Sequence, residues 1–365
     1  MRPVAPASPF VNKTFASRHH EHLETHPGRA CLDFGSLIPA RILIGCGNTA
    51  FPDLRHSEPR APARGSWFLA RIPMTLRLKF FPWLETFFTV SRLIQLTMRT
   101  IINTTALDAL YHRYHHKEFV HPDPLEFLYN YDGIQDREIA GLLASSLAYG
   151  RVAQILKNVA IVLQIMNPSP YLYIKNGSDR RFQKDFESFQ YRFTTAHEMQ
   201  ALLKGVRRVL NEFESLEQCM AQSMPAQSTD VADALPAFAA YMNGDTDCGR
   251  NSLMPHPECG SACKRLNLFL RRMVRSDNVD PGGWNLLKPR QLIIPLDTHM
   301  HRFCKAMGLT RRKSADLRTA REITDAFRTI APHDPARYDF SITRLGIRGD
   351  EDPEEFLRAY HAGAA

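Results

Sequence analysis

From Met98 onward, apolar residues recur at three- and four-residue intervals, and this spacing constrains the fold more than any other feature of the chain. Leu107, Leu110 and Tyr111 follow it before a break at HPDP (121–124). In DREIAGLLASSLAYG (136–150), Ile139, Leu142, Leu143 and Leu147 share one helical face, and Gly150 supplies a stop. RVAQILKNVAIVLQIM (151–166) repeats the pattern with Val152, Ile155, Leu156, Val159 and Leu163, until PSPY (168–171) breaks it. HEMQALLKGVRRVLNEF (197–213) predicts a further amphipathic helix, and residues 221–262 are looser apart from Leu235 to Met242. After Gly308 the spacing of Ala320, Ile323, Phe327 and Ile330 predicts a helix capped by Ser314. APHDPARYDF (331–340) interrupts it, and a last short helix ends the chain. Strand signals are few and no internal repeat is present, so the expectation is an all-α protein.

Residues 1–97 read differently. They hold ten of the 24 prolines, ten arginines and only two lysines, with poor periodicity up to about Ser66. ARILIGCG (40–47) reads as an isolated strand; the rest reads as a poorly ordered extension. Two alternatives are that the natural product starts at Met98, and that 66–97 packs on the helical body. The expected organisation is therefore an extension over 1–97, a helical domain over 98–350 and a C-terminal tail over 351–365. No apolar h-region opens the chain. No run of about 18 uncharged apolar residues occurs, so no membrane span is expected. The apolar stretch 66–97 comes closest but is interrupted by Arg71, Arg77, Lys79, Glu85 and Arg92. The seven cysteines are odd in number and lack a CxxC pair, which argues for free thiols in a reducing, cytoplasmic setting. Cys259 and Cys263 lie near His256, but a four-ligand metal set would need residues from afar.

Charge is unevenly placed. The whole chain carries a formal +8, whereas Gly260 to Arg321 alone holds fourteen Lys/Arg against four Asp/Glu, a local balance of +10. Such a stretch attracts polyanions, nucleic acid first. Within it, KRLNLFLRRMVR (264–275) sets Leu266, Phe269, Leu270, Met273 and Val274 on one stripe, with Lys264, Arg271, Arg272 and Arg275 off it. One side is expected to pack and the other to present cations. A Gly/Pro loop follows, whose Trp284 reads as an anchor in preference to a stacking residue. Then LIIPLDTHMHRFCKAMGL (292–309) runs an apolar stretch into Asp297. Asp297 reads first as a helix N-cap. A carboxylate so held could also face a developing positive charge. Asp297, His299 and His301 form a D-x-H-x-H metal candidate, but a helix would put Asp297 and His301 on one face and His299 off it. Lys264, at a helix start beside Arg265, sits where the neutral, nucleophilic amine is favoured.

The order of Lys-headed helix, Gly/Pro loop, apolar run ending in Asp, and helix resembles the helix-hairpin-helix–Gly/Pro–Asp DNA glycosylase superfamily. LDTHMHRFCKAMGL resembles its V-D-T-H-V-x-R signature at Leu296, Asp297, Thr298, His299 and Arg302. Four longer stretches resemble an uncharacterised bacterial family, domain of unknown function 2400. They are DPLEFLYNYDGIQDREIAGLLASSLAYGRVAQIL, GSACKRLNLFLRRMVRSDNVDPGGW, IIPLDTHMHRFCKAMGLTRRKSADLRTAREITDAFR and HDPARYDFSITRLGI, together most of 98–348. The superfamily resemblance implies a two-lobed helical fold that excises a damaged base from double-stranded DNA. Asp297 then matches the catalytic acid, and Lys264 the Schiff-base lysine by its place at the helix start. Arg265, Arg271, Arg272, Arg275, Lys288, Arg290 and Arg302 would line a phosphate path. Tyr149, Arg151 and Gln154 would face the extruded base. The superfamily's L-P-G-x-G turn is absent before Lys264, where PECGSAC stands, and no four-cysteine cluster implies an iron–sulfur centre. The expectation is a monomer that needs no cofactor or metal. The other readings are a DNA-binding module without catalysis and a metal-dependent hydrolase built on Asp297, His299 and His301.

Overall fold

Side-chain caps set most of the helix starts. Asn103 accepts from the Ala106 N–H at 3.0 Å and opens α1 (Thr104–Tyr114). After α2 (Ile134–Ser146) and α3 (Val152–Ile165), Ser169 accepts from the Leu172 N–H and opens α4 (Pro170–Lys175). PSPY breaks the helical run as expected, and it does so by supplying the cap and first-turn proline of the next helix. Ser178 opens α5 (Asp179–Asp185). A short antiparallel hairpin, β1 (Gln190–Tyr191) with β2 (Thr194–Thr195), pairs Gln190 with Thr195 and Tyr191 with Thr194. Thr195 and Glu198 exchange side-chain and backbone bonds as a capping box at the start of α6 (Ala196–Phe213). There follow α7 (Leu216–Gln222), α8 (Leu235–Asn243), α9 (Lys264–Val274) and α10 (Thr298–Ala306). The cap of α11 (Leu317–Arg328) is Asp316 and not Ser314: its Oδ1 accepts from the Thr319 N–H at 2.8 Å. The last elements are α12 (Asp339–Arg348) and α13 (Pro353–Ala362).

The computed structural model describes residues 102–244, 251–255, 257–348 and 352–363. The expected extension over 1–97, its strand at 40–47, the apolar segment 66–97 and the alternative start at Met98 all lie outside these residues. Among the described residues the all-α expectation holds, with the two-residue strands of one hairpin as the exception. The region expected as a C-terminal tail carries α13, whose Tyr360 is buried and accepts at its carbonyl from Asn103 Nδ2 at 2.9 Å. No described helix is long and apolar enough to cross a membrane.

Two helices organise the packing. α6 contacts α4, α5, α7 and α8, and α9 lies along α2. Gly141 allows the second approach, because a Cβ there would stand 3.1 Å from Met273 Sδ of α9. The consequence for α9 is larger than its amphipathic pattern predicts. All nine residues from Leu266 to Val274 are buried, including Arg271 and Arg272, and Arg275 follows at 2% exposure. The expected cationic face turns inward, against aspartates from four other segments. Arg271 meets Asp339 at 2.5 Å and Asp280 at 3.0 Å. Arg275 meets Asp280 at 2.9 Å, Asp277 at 2.8 Å and Asp334 at 3.0 Å. Arg272 and Arg344 share Asp123, at 2.7 and 2.5 Å. Burial works against ionisation of Asp123, but these two guanidiniums and the Leu125 N–H outweigh it and hold the carboxyl below its usual range.

Trp284 is the anchor its loop position suggests. It is buried, sits edge-on to Phe269 with centroids 5.2 Å apart, and donates from Nε1 to Glu138 Oε2 at 3.1 Å. Glu138 also accepts from the Leu216 N–H at 3.1 Å, so one buried carboxyl ties α2 to the start of α7 and to the loop after α9. Burial pushes it from 4.5 up to about 7.

Two outcomes follow from these buried charges. Asp280→Ala leaves Arg271 and Arg275 each short of a partner out of water, and is expected to lower unfolding free energy by about 3–5 kcal/mol in urea titrations. Glu138 binds its proton more tightly in the fold than in the open chain. Its contribution is fully present below about pH 4.5 and is lost as pH rises through about 7. Unfolding free energy should therefore fall between pH 5 and 8, and Glu138→Gln should flatten that part of the profile.

Candidate functional site

α9 begins after Cys263, whose φ of 48° is left-handed, and it has no side-chain cap. α10 begins at Asp297, whose Oδ1 accepts from the Met300 N–H at 2.9 Å. The N-cap reading of Asp297 is therefore correct, and it leaves the second oxygen available. That oxygen, Oδ2, stands 3.8 Å from Lys264 Nζ. The two side chains keep 30% and 33% of their surface open, so both are reachable from solvent. They share the wall of a cavity of about 620 Å³.

Several segments close this cavity. Asp123 and Pro124 come from the loop before α2, Tyr149 and Gly150 from the α2–α3 turn, Arg271 and Arg272 from α9, and Asp339 and Arg344 from α12. Val152 and Ile347, both exposed, add apolar edges. The first turns of α3, α9 and α10 all contribute to the lining. Burial holds the Lys264 amine below the usual lysine value; the Asp297 charge opposes this and the nearby Arg272 reinforces it. An amine of this kind spends more time neutral, and only the neutral form is a nucleophile.

The remaining expected site residues divide. Tyr149 lines the cavity, where its hydroxyl lies 2.5 Å from Thr194 Oγ1 and Arg265 covers its ring at 5.3 Å. Arg265 lines it too, but its guanidinium donates to the carbonyls of Ser146 and Ser252 at 2.7 and 2.6 Å, which is a structural role. Arg271, Arg272 and Arg275 are corrected from an exposed phosphate path to a buried ion-pair network, since each is paired with carboxylates out of water. Arg151 and Gln154 do not face the cavity; they line a separate groove beside it. Lys288, Arg290 and Arg302 are exposed and outside the cavity lining, with Lys288 Nζ donating to the Asn285 carbonyl at 2.7 Å.

The metal reading fails on geometry. His299 lines the cavity with Asp297, but the helix carries His301 away to the Arg312 carbonyl at 3.1 Å. Among the described residues no group of three or more His, Cys, Asp or Glu is placed to hold a metal ion. Cys263 is a buried free thiol, and His256 lies outside the described residues. Sequence reasoning missed Asp123, Asp339 and Arg344 as cavity residues. Their signal lay in the quoted stretches HPDP and RYDFSITRLGI, where charged residues stand amid apolar ones.

Asp297 raises the affinity of Lys264 for its proton, so Asp297→Asn is expected to move the lysine's titration lower still. NMR of ¹³C-dimethylated lysines across a pH series reads this shift directly. The same substitution should lower stability by no more than about 1 kcal/mol, a capping effect.

No curated protein and no solved structure matches the chain. A family model does match, over residues 123–348, a span that includes both partners of the Lys264–Asp297 pair and every arginine of the buried network. The chain belongs to that family, described as Protein of unknown function (DUF2400).

Proposed function

We propose that the protein excises a damaged base from double-stranded DNA, with Lys264 as nucleophile and the Asp297 carboxylate beside it. One observation carries this reading: a lysine held below its usual pKa by burial faces a carboxylate at 3.8 Å on the wall of a cavity of about 620 Å³. That volume lies in the range of small-molecule sites and suits an extruded nucleotide. The resemblance of LDTHMHR to the glycosylase signature supports the same reading.

In this chemistry the neutral Lys264 amine attacks C1′ of the sugar. The N-glycosidic bond breaks and its electron pair leaves with the base, which takes one of the two protons the attacking amine gives up, the second going to the ring oxygen as the sugar opens. The Asp297 carboxylate stabilises the positive charge that builds on the sugar as the bond stretches. Opening of the sugar ring then leaves an imine between Lys264 and C1′, which borohydride reduces to a stable amine.

The test is a panel of duplexes carrying different damaged bases, incubated with the full chain with and without borohydride. A trapped protein–DNA adduct is expected, absent in Lys264→Gln. Asp297→Asn should bind DNA as the parent does and lose excision by about 10²–10³-fold, the usual size of losing one electrostatic stabiliser of a transition state. An adduct that persists in Lys264→Gln moves the chemistry to another amine. Binding without excision on any duplex leaves a DNA-binding module.

A further inference from the structure

The groove beside the cavity has its own chemistry. It lies between the first turns of α3 and the β1–β2 hairpin and encloses about 580 Å³. Arg151, Lys157 and Arg192 line it together with the amides of Gln154, Asn158 and Gln190, and no carboxylate contributes to the lining. Most basic residues in the centre of this protein are neutralised by aspartates. These three are different: all are exposed, and none makes an ion pair with a carboxylate among the described residues. α3 begins at Val152 without a side-chain cap, which leaves the partial positive charge of its N-terminus at the same place.

The groove also adjoins the cavity. Gly150, in the cavity wall, has φ of +96°, and a Cβ on it would fall 2.5 Å from the Arg192 side chain, so the hairpin turn rests directly on the wall. Tyr191 lines the groove and donates its hydroxyl to the Tyr149 carbonyl. Next to Arg192 the turn presents Phe193, 60% exposed and stacked on Tyr149 at 4.8 Å and 19°. A large apolar ring held out on a two-residue turn is unfavourable in water unless something covers it.

We infer that this groove is a track for the backbone of a DNA strand, with Phe193 stacking on a base at the point where the strand meets the cavity. The inference rests on the proposed action on DNA and adds where the strand runs. Unpaired cations set beside an exposed aromatic fit a polymer that alternates phosphates with flat bases. A simple anion would use the cations and leave Phe193 unexplained.

Fluorescence anisotropy of the full chain on a labelled duplex containing one abasic analogue, across a sodium chloride series, tests this. Combined Arg151→Gln, Lys157→Gln and Arg192→Gln should flatten the slope of log K against log[salt] by roughly 2.7, about 0.9 for each lost phosphate contact. Arg180→Gln with Lys184→Gln, removing exposed cations elsewhere, should leave it unchanged. Phe193→Ala should weaken binding by about tenfold at every salt concentration, with the slope intact. Circular dichroism melts check that the variants fold, which their exposed positions favour. A parent that binds DNA, with a triple variant of unchanged slope, overturns the track and leaves the action on DNA standing. A flattened slope without excision on any duplex keeps the track and removes the excision chemistry. A parent that binds no DNA removes both.

Discussion

Arginines held out of water by shared aspartates are what the rest of this structure depends on. Arg271 and Arg275 of the α9 segment converge on Asp280, and through Asp339 and Asp334 they fasten α9 to both sides of the start of α12. Arg272 and Arg344 fasten the same two helices to Asp123, ahead of α2. Such pairs add little net stability over apolar residues of the same volume, but a missing partner is severely penalised. That asymmetry rewards one register only. A half-turn rotation of α9 would strand cations in the core, and the lysine at its head would leave the cavity wall.

The sequence was most legible where a residue answers to local rules. Capping chemistry identifies Asp297, helical spacing identifies α3, α6 and α9, and Trp284 reads correctly as an anchor. It was least legible where charge pairs across long separations. A helix bearing Arg271, Arg272 and Arg275 off its apolar stripe looks like one with a wet side, because the neutralising acids sit up to 149 residues away. Local pattern cannot show that a charge has a distant partner. Ser314 was misread for a smaller reason: several neighbouring residues can cap a helix, and which one does so depends on where the chain must turn. Arg151 and Gln154 sit close to Tyr149 in sequence, yet Gly150 turns the chain between them, so they line the groove and not the cavity.

The Lys264–Asp297 pair shows how the two kinds of information combine. Each residue is placed by a local event, the start of a helix. Their meeting at 3.8 Å is set by the packing of α9 and α10 within the common core, which no short motif encodes. The LDTH motif marks Asp297 and the helix start marks Lys264, but that the two face each other becomes visible only in three dimensions.

The convergence of the first turns of α3, α9 and α10 on one cavity has an electrical consequence of its own. Each helix start carries about half a positive charge from its aligned peptides. Together they tilt the field inside toward electron-rich groups before any side chain is considered. A group that gathers negative charge inside the cavity would find that charge already matched by backbone fixed in place. Such a field needs no reorganisation as charge develops. It also persists at any pH, because peptide groups do not titrate.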